Sequence, residues 1–405
     1  MSRGTEVSKF RHKYAKRNEG DFPDSLNLSL RKEWDLKYGE NPHQSAAIYS
    51  MERVGDYDVG VFSRLTDLKS VRTDDQGKGG LSLTNTMDIS RAMGVLGFYI
   101  DPAVVIMKHG NISGFARQSK GRTLTDLFRL ARDADRQSNF GGTAVFNRPL
   151  DMEVANALYE LRGTSPFFVD VLAAPGYEEG VVGYVESQSI NVRIGTFSNL
   201  DVLPKFVGDD PQGLISIKEM PGGRVGIQSV YLTAISDASK MIYDPMIIDE
   251  SGVKHVVDRD PTKSEGKDLL TAWYLNLAGA RSNGVIAVRD GVTVAVGVGK
   301  VERVGAVRDM IITGMQKAMD REGITYNPLE GIKGYEKLQD QPFIGAAVSS
   351  DGYFPFRDSI DLLAGVGVSA VVQPGGSKKD FEVIDAVNEH NMAMAFTLER
   401  CFGHF

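Results

Sequence analysis

Cysteine is nearly absent: Cys401 is the only one in 405 residues. A lone thiol closes no internal disulfide and excludes zinc sites built on two or more thiolates, which suits a reducing, cytoplasmic setting. A basic excess is also missing, with 46 Lys plus Arg against 53 Asp plus Glu and a net charge of −7. No overall positive field exists to hold a polyanion, so nucleic acid is not expected as a partner. Long apolar runs are lacking too. The longest, Ala103 to Met107 and Leu362 to Val372, fall short of the roughly 20 residues that cross a bilayer, so no membrane association is expected. The N-terminus carries Arg3, Lys9, Arg11, Lys13, Lys16 and Arg17 without an apolar core, which reads as a basic extension over 1–35 and not as a secretory leader. Histidine is scarce at six, with no pair at metal-ligand spacing and no His, Glu and paired-Cys set for zinc-activated deamination. Gly297-Val298-Gly299 fails as a dinucleotide loop because Glu302 stands at the third glycine position. It fails as a phosphate loop because Val301 follows Lys300.

What is present is the composition of a soluble globular protein, 42% apolar and 24% charged, long enough for two or three domains. Helical periodicity alternates with short β-branched runs, the pattern of α/β layers with buried strands. Ile89 to Tyr99 reads as a helix, Pro102 as a break, Ala103 to Met107 as a buried strand, and Lys108 to Asn111 as the polar loop after it. The plan recurs: Ser359 to Ala364 as helix, Val368 to Val372 as strand, Gln373 to Ser377 as loop. A further strand, Gly284 to Val288, runs into the turn Arg289-Asp290-Gly291, and Val257 to Lys267 reads as a polar loop. Two related α/β halves are expected, 36–230 and 231–405.

Lys108-His109 is the most informative dipeptide. An imidazole moves protons near neutral pH, and an adjacent ammonium stabilises negative charge developing on a nearby oxygen; the same pair also occurs as an ordinary solvated loop. Tyr353 to Asp358 reads either as core or as an aromatic platform for a planar heterocycle. The tail from Arg400 to Phe405 concentrates charged and aromatic groups that a frayed terminus does not need. These pieces alone describe an enzyme acting on a small anionic substrate.

A collinear set of segments goes further: Leu36-Lys37-Tyr38-Gly39-Glu40-Asn41-Pro42-His43-Gln44, Gln76-Gly77-Lys78, Lys108-His109, Phe140-Gly141-Gly142, Ala174-Pro175-Gly176, Ser282-Asn283, Ser350-Asp351, Phe354 to Asp358, Gln373 to Ser377 and the Arg400 to His404 tail. In this order they resemble the AICAR transformylase domain of the bifunctional purine-biosynthesis family that also carries IMP cyclohydrolase. The resemblance begins near Leu36, which leaves no room upstream for a cyclohydrolase domain and leads us to expect a free-standing transformylase. It implies two cytidine-deaminase-like three-layer α/β subdomains without zinc, and a homodimer whose chains share active sites. It also implies transfer of a formyl group from 10-formyltetrahydrofolate to the 5-amino group of AICAR, giving FAICAR and tetrahydrofolate.

Carried over position by position, the resemblance makes Lys108, His109, Asn283 and His404 catalytic, and Lys37, Tyr38, Gly141, Asp170, Arg303, Arg400 and Phe402 nucleotide contacts. Tyr353, Phe354, Phe356, Asp358, Ser377 and Lys378 fall on the reduced-folate side, and a potassium ion is admitted near Ser282 and Asp351. The sequence departs from the family in several places. Lys37 replaces an arginine and Tyr353 a phenylalanine; Ile112-Ser113 replaces a proline-containing pair after Asn111; Lys300-Val301-Glu302 replaces a glutamine-containing loop. Two other readings are formyl transfer to a different aminoimidazole nucleotide, and a catalytically silent sensor of a purine intermediate. Retention of Lys108, His109, Asn283 and Asp170 together argues against the sensor, which needs no proton shuttle.

Overall fold

The computed structural model describes residues 3–7, 22–71, 80–162 and 165–404. The Gln76-Gly77-Lys78 segment, the basic run within 8–21 and Phe405 lie outside them. Of the expected extension, Thr5–Glu6 pairs in parallel with Pro245 and Met246, and Leu28–Asp35 is a strand antiparallel to Ala47–Val54.

One helix and strand series occurs twice. The first runs α1 (Leu83–Leu96), β1 (Ala103–Lys108), β2 (Asn111–Arg117), α2 (Leu124–Ala134), β3 (Gly142–Phe146), α3 (Met152–Leu158), β4 (Val169–Ala174), α4 (Val181–Gln188) and β5 (Arg193–Thr196). The second runs α5 (Lys263–Gly279), β6 (Val285–Arg289), β7 (Val292–Gly297), α6 (Arg303–Arg321), β8 (Ala347–Ser350), α7 (Asp358–Gly365), β9 (Ala370–Gln373), α8 (Asp380–Glu389) and β10 (Ala393–Phe396). All these strands join one eleven-stranded mixed sheet, ordered β10-β9-β8-β6-β7-β2-β1-β3-β4-β5 and ending on Lys69–Ser70. In each series a hairpin lies toward the middle and three parallel strands lie outside it. The two hairpins meet antiparallel where Val292 pairs with Ala116, so the series are related by a pseudo-two-fold through the sheet.

Alternation builds three layers. Along β1, Ala103, Val105 and Met107 face a core shared with α1 and α5, whereas Val104 and Ile106 face the core under α2 and α3. Along β6, Ile286 and Val288 face the shared core, and Val285 and Ala287 face the one under α6. Burial on both faces is why these strands read as unbroken apolar runs. Both α1 and α5 start with a capping box, Ser82 with Asn85 and Thr262 with Glu265, which satisfies orphan amides at the helix start.

Three local expectations need correction. The helix before β1 ends at Leu96 and not at Tyr99. Lys108 to Asn111 is no free loop: Lys108 closes β1 and Asn111 opens β2. The Val257 to Lys267 loop is cut short because Thr262 caps α5, whose first residue is Lys263.

Candidate active site

Only His109 and Gly110 separate β1 from β2, and both have positive φ, 52° and 75°. That is the two-residue turn whose twist suits an antiparallel hairpin. A non-glycine residue in this region costs about 1 kcal/mol, and neighbouring groups offset it. Asp88 of α1 accepts the Gly110 amide through Oδ1 at 2.8 Å, and Arg91, on the next turn of the helix, donates to the Gly110 carbonyl at 3.3 Å. Asn111 Nδ2 donates to the His109 carbonyl at 3.2 Å. The turn is thereby fixed while the imidazole stays exposed at a cavity of about 380 Å³, also lined by Glu40, Met87, Arg91 and Arg281.

The electrostatics follow from depth. Burial pushes the Asp88 carboxyl up, and the Gly110 amide, then His109, draw it back. Burial draws the Arg91 guanidinium down to about 10, with Asp88 opposing the shift and Arg281 adding to it. Arg91 remains cationic near neutrality, so two guanidiniums and an imidazole share the cavity with the Glu40 and Asp88 carboxylates.

The sheet edge gathers other expected residues. Lys108 Nζ donates to the Phe140 carbonyl at 2.6 Å, next to Gly141. Gly141 has φ 71°, and the space where a Cβ would stand is open, so backbone is presented to a ligand without a side chain in the way. Asp170, opening β4, pairs with Arg193 at 2.6 Å. The Tyr38 carbonyl accepts the Leu83 amide at 3.4 Å, which sets the Lys37 to Gln44 segment against the start of α1; Lys37 itself is exposed.

Because β2 and β7 are antiparallel, the start of β2 and the end of β7 share this edge, and the second series brings its own groups to it. Ser282 and Asn283, joined by a cis peptide, precede β6. Asn283 Nδ2 donates to the carbonyls of Lys300 at 2.8 Å and Val301 at 3.1 Å. The altered Lys300-Val301 loop is therefore tied by backbone atoms to an expected catalytic residue. Ser282 and Gly403 exchange backbone and hydroxyl bonds of 3.0 and 3.1 Å, which pin the tail at the same place. Within it the Arg400 guanidinium carbon lies 4.6 Å from the Phe402 ring centre, and Phe402 lies 6.0 Å from the exposed His404 ring.

Arg303 is buried and ion-paired to Asp351 Oδ1, so its charge is committed inside the chain. Asp351 Oδ2 accepts the Ser282 hydroxyl at 2.6 Å. With both carboxylate oxygens engaged and a guanidinium against one of them, these side chains do not fit a potassium ion, and no step is routed through one. On the expected folate side Phe354 is fully buried, its amide donating to Gln373 Oε1 at 2.7 Å, and of the three rings Tyr353 and Phe356 are the exposed ones. Asp358, the first residue of α7, is exposed and accepts the Ser359 amide at 2.6 Å. Ser377 accepts the Lys379 amide at 3.1 Å and Lys378 is exposed.

Sequence reading missed Asp88, Arg91 and Arg281. The first two were findable as polar residues at i, i+3 on a helix that ends just before the Lys108-His109 strand; Arg281 needs the tertiary fold.

A family model described as AICARFT/IMPCHase bienzyme matches residues 6–312. The chain belongs to this family. Two relatives are each named bifunctional purine biosynthesis protein PurH. The one from Magnetococcus marinus is 33% identical over 386 residues, covering 95% of this chain and 62% of the relative. The one from Persephonella marina is 30% identical over 385 residues, again 95% and 62%. The chain thus spans less than two thirds of the length of either. Among the described residues no helix is long and apolar enough to cross a membrane, and no group of three His, Cys, Asp or Glu could hold a metal ion.

Proposed function

We propose that this chain is a folate-dependent formyltransferase of purine biosynthesis that moves the formyl group of 10-formyltetrahydrofolate onto the 5-amino nitrogen of AICAR. The observation that carries this reading is the His109 turn, clamped by Asp88 and Arg91, with Lys108 beside it and Asn283 and the Phe402-His404 tail on the same sheet edge. The amine is a weak nucleophile because its lone pair is delocalised into the imidazole and carboxamide. Its attack on the formyl carbon forms a C–N bond and a tetrahedral oxyanion, and collapse breaks the bond to N10. The amine proton passes to His109 and is then returned to N10 of the departing tetrahydrofolate. Lys108 supplies positive charge for the oxyanion.

In this reading Lys37, Tyr38 and Arg400 hold the nucleotide, with Arg91 and Arg281 adding cationic wall. Tyr353 and Phe356 offer ring surface to the pterin, and a homodimer completes each site. The repeated order of hairpin and three parallel strands supports treating each series as a cytidine-deaminase-like unit. The test is absorbance of tetrahydrofolate formed from 10-formyltetrahydrofolate, with and without AICAR. AICAR-dependent formation supports the reading; nucleotide binding without turnover overturns it in favour of a sensor.

A further inference from the structure

The β6–β7 turn repeats the active-site turn on the opposite edge of the sheet. Asp290 and Gly291 have φ 56° and 77°, against 52° and 75° at His109 and Gly110. Asp268 occupies on α5 the place that Asp88 holds on α1, and it accepts both turn amides, Asp290 N through Oδ2 and Gly291 N through Oδ1, each at 2.8 Å. Here too there is a cavity, of about 310 Å³. The helix and turn positions that line it match those of the His109 cavity, with Ser264 for Thr84, Lys267 for Met87, Thr271 for Arg91 and Asp290 for His109, whereas Lys263 lines this cavity alone.

The exchanges differ in sign: Arg91 and His109 give way to uncharged Thr271 and acidic Asp290, and Met87 gives way to cationic Lys267. The proton-transfer imidazole is gone, so the copy has lost the chemistry, while an exposed methionine has become an ammonium. Each carboxylate of the cavity already has a partner: Lys120 Nζ lies 2.7 Å from Asp290, Arg117 lies 3.3 Å from Asp101, and Asp268 is taken up by the two amides. Lys263 and Lys267 remain, both lining the cavity and one helical turn apart, with no ion-pair partner among the described residues. Two unneutralised ammoniums side by side repel each other, and a dianion between them removes that cost. At about 310 Å³ the cavity reaches the size of a small-molecule pocket, which leaves room beyond the anion itself.

We propose that the cavity at the Asp290-Gly291 turn is a second, non-catalytic ligand site that binds a phosphate group through Lys263 and Lys267, as the monoester of a small organic molecule. This does not depend on the formyl-transfer reading, because it concerns the edge of the sheet that lacks the histidine.

The test is lysine acylation read by peptide mass spectrometry on the full chain, with ribose 5-phosphate and inorganic phosphate as probes. Ribose 5-phosphate is expected to slow labelling of Lys263 and Lys267 by about tenfold at saturation, with weaker protection by inorganic phosphate. The double variant Lys263→Ala and Lys267→Ala, at exposed helix positions, is read by nuclear magnetic resonance: ligand-induced shifts at Thr271 and Gly291 should vanish, while the ligand-free Gly110 resonance keeps its parent position and reports an intact fold. Equal protection by both probes identifies free phosphate as the ligand and overturns the monoester. Absence of protection by either, or Thr271 and Gly291 shifts that survive the double variant, overturns the site.

Discussion

The two series share one scaffold but carry different side chains at the same turn. Lys108-His109-Gly110 and Arg289-Asp290-Gly291 are the same turn, each held by a buried aspartate from the preceding capped helix. Asp268 spends both oxygens on turn amides. Asp88 spends one, and its other oxygen, 3.5 Å from the Thr143 hydroxyl, is left loosely held. The same clamp thus stands at both edges, and the His109 edge differs by one carboxylate oxygen that no turn amide takes up and by an imidazole where the other turn has a carboxylate.

The sharpest way to break this comparison is to delete the differing side chain on each edge. His109→Ala should lose roughly 10²–10⁴-fold in turnover with little change in nucleotide affinity. Asp290→Ala should leave turnover at the parent level. Equal losses would mean that the turn matters only as scaffold and would remove His109 from the chemistry.

The clamps come next. Asp268→Asn leaves one buried turn amide facing an amide nitrogen, which should cost about 1–3 kcal/mol of stability in a urea melt without altering turnover. Asp88→Asn keeps an acceptor for the Gly110 amide and should cost less stability, yet it removes a buried negative charge beside His109 and Arg91. Its signature is a displaced pH–rate profile with near-parent melting. If Asp88→Asn and Asp268→Asn move the same observable by the same amount, the carboxylate oxygen that no turn amide takes up makes no difference.

The same pair of turns explains what could be read from sequence. Asp290-Gly291 is recognisable as a turn because Asp-Gly is a frequent type I′ signal. His109-Gly110 adopts the same geometry but reads as an open loop, because histidine carries no such signal and Asn-Ile-Ser-Gly looks too polar to begin a strand. The buried strand before it was legible because burial on both faces leaves an unbroken apolar run. The expected site residues are carried by local motifs, whereas Asp88, Arg91 and Arg281 come to the His109 cavity only through the tertiary fold. Arg303 shows the converse: it reads as a ligand contact, but its Nη1 is tied to Asp351, 48 residues away, and to the Gly284 carbonyl. Phe354 and its exposed neighbours could not be sorted in advance, since a short aromatic cluster does not say which ring the core takes.

A smaller effect separates the glycines. Both turns need positive φ, so alanine at either costs about 1 kcal/mol. At Gly291 an added Cβ would also lie 3.0 Å from Arg117 Cγ, whereas at Gly110 the nearest atom is Arg91 Nε at 3.7 Å. Gly291→Ala should therefore lower the melting temperature more than Gly110→Ala, and only Gly110→Ala should slow turnover.

The smallest expected difference lies in pH sensitivity, because the second series has a histidine latch for which the first offers no counterpart among the described residues. His255, on the Lys254–Val256 strand, places Nδ1 2.7 Å from Asp385 of α8 and Nε2 3.4 Å from Asp249 of its own hairpin. The Asp385 bond raises its pKa, burial opposes the rise, and Asp249 adds to it. A raised folded-state pKa means that the stabilisation is full below the unfolded value of about 6.5 and is lost as pH climbs through the folded value. The pair is partly exposed, so the loss should be about 0.5 kcal/mol. His255→Gln should flatten this part of the stability profile above pH ~6.5 and leave turnover unchanged, since α8 packs on the far side of the sheet core from the His109 turn. A profile unchanged by the substitution would show that the latch holds no charge in the folded chain.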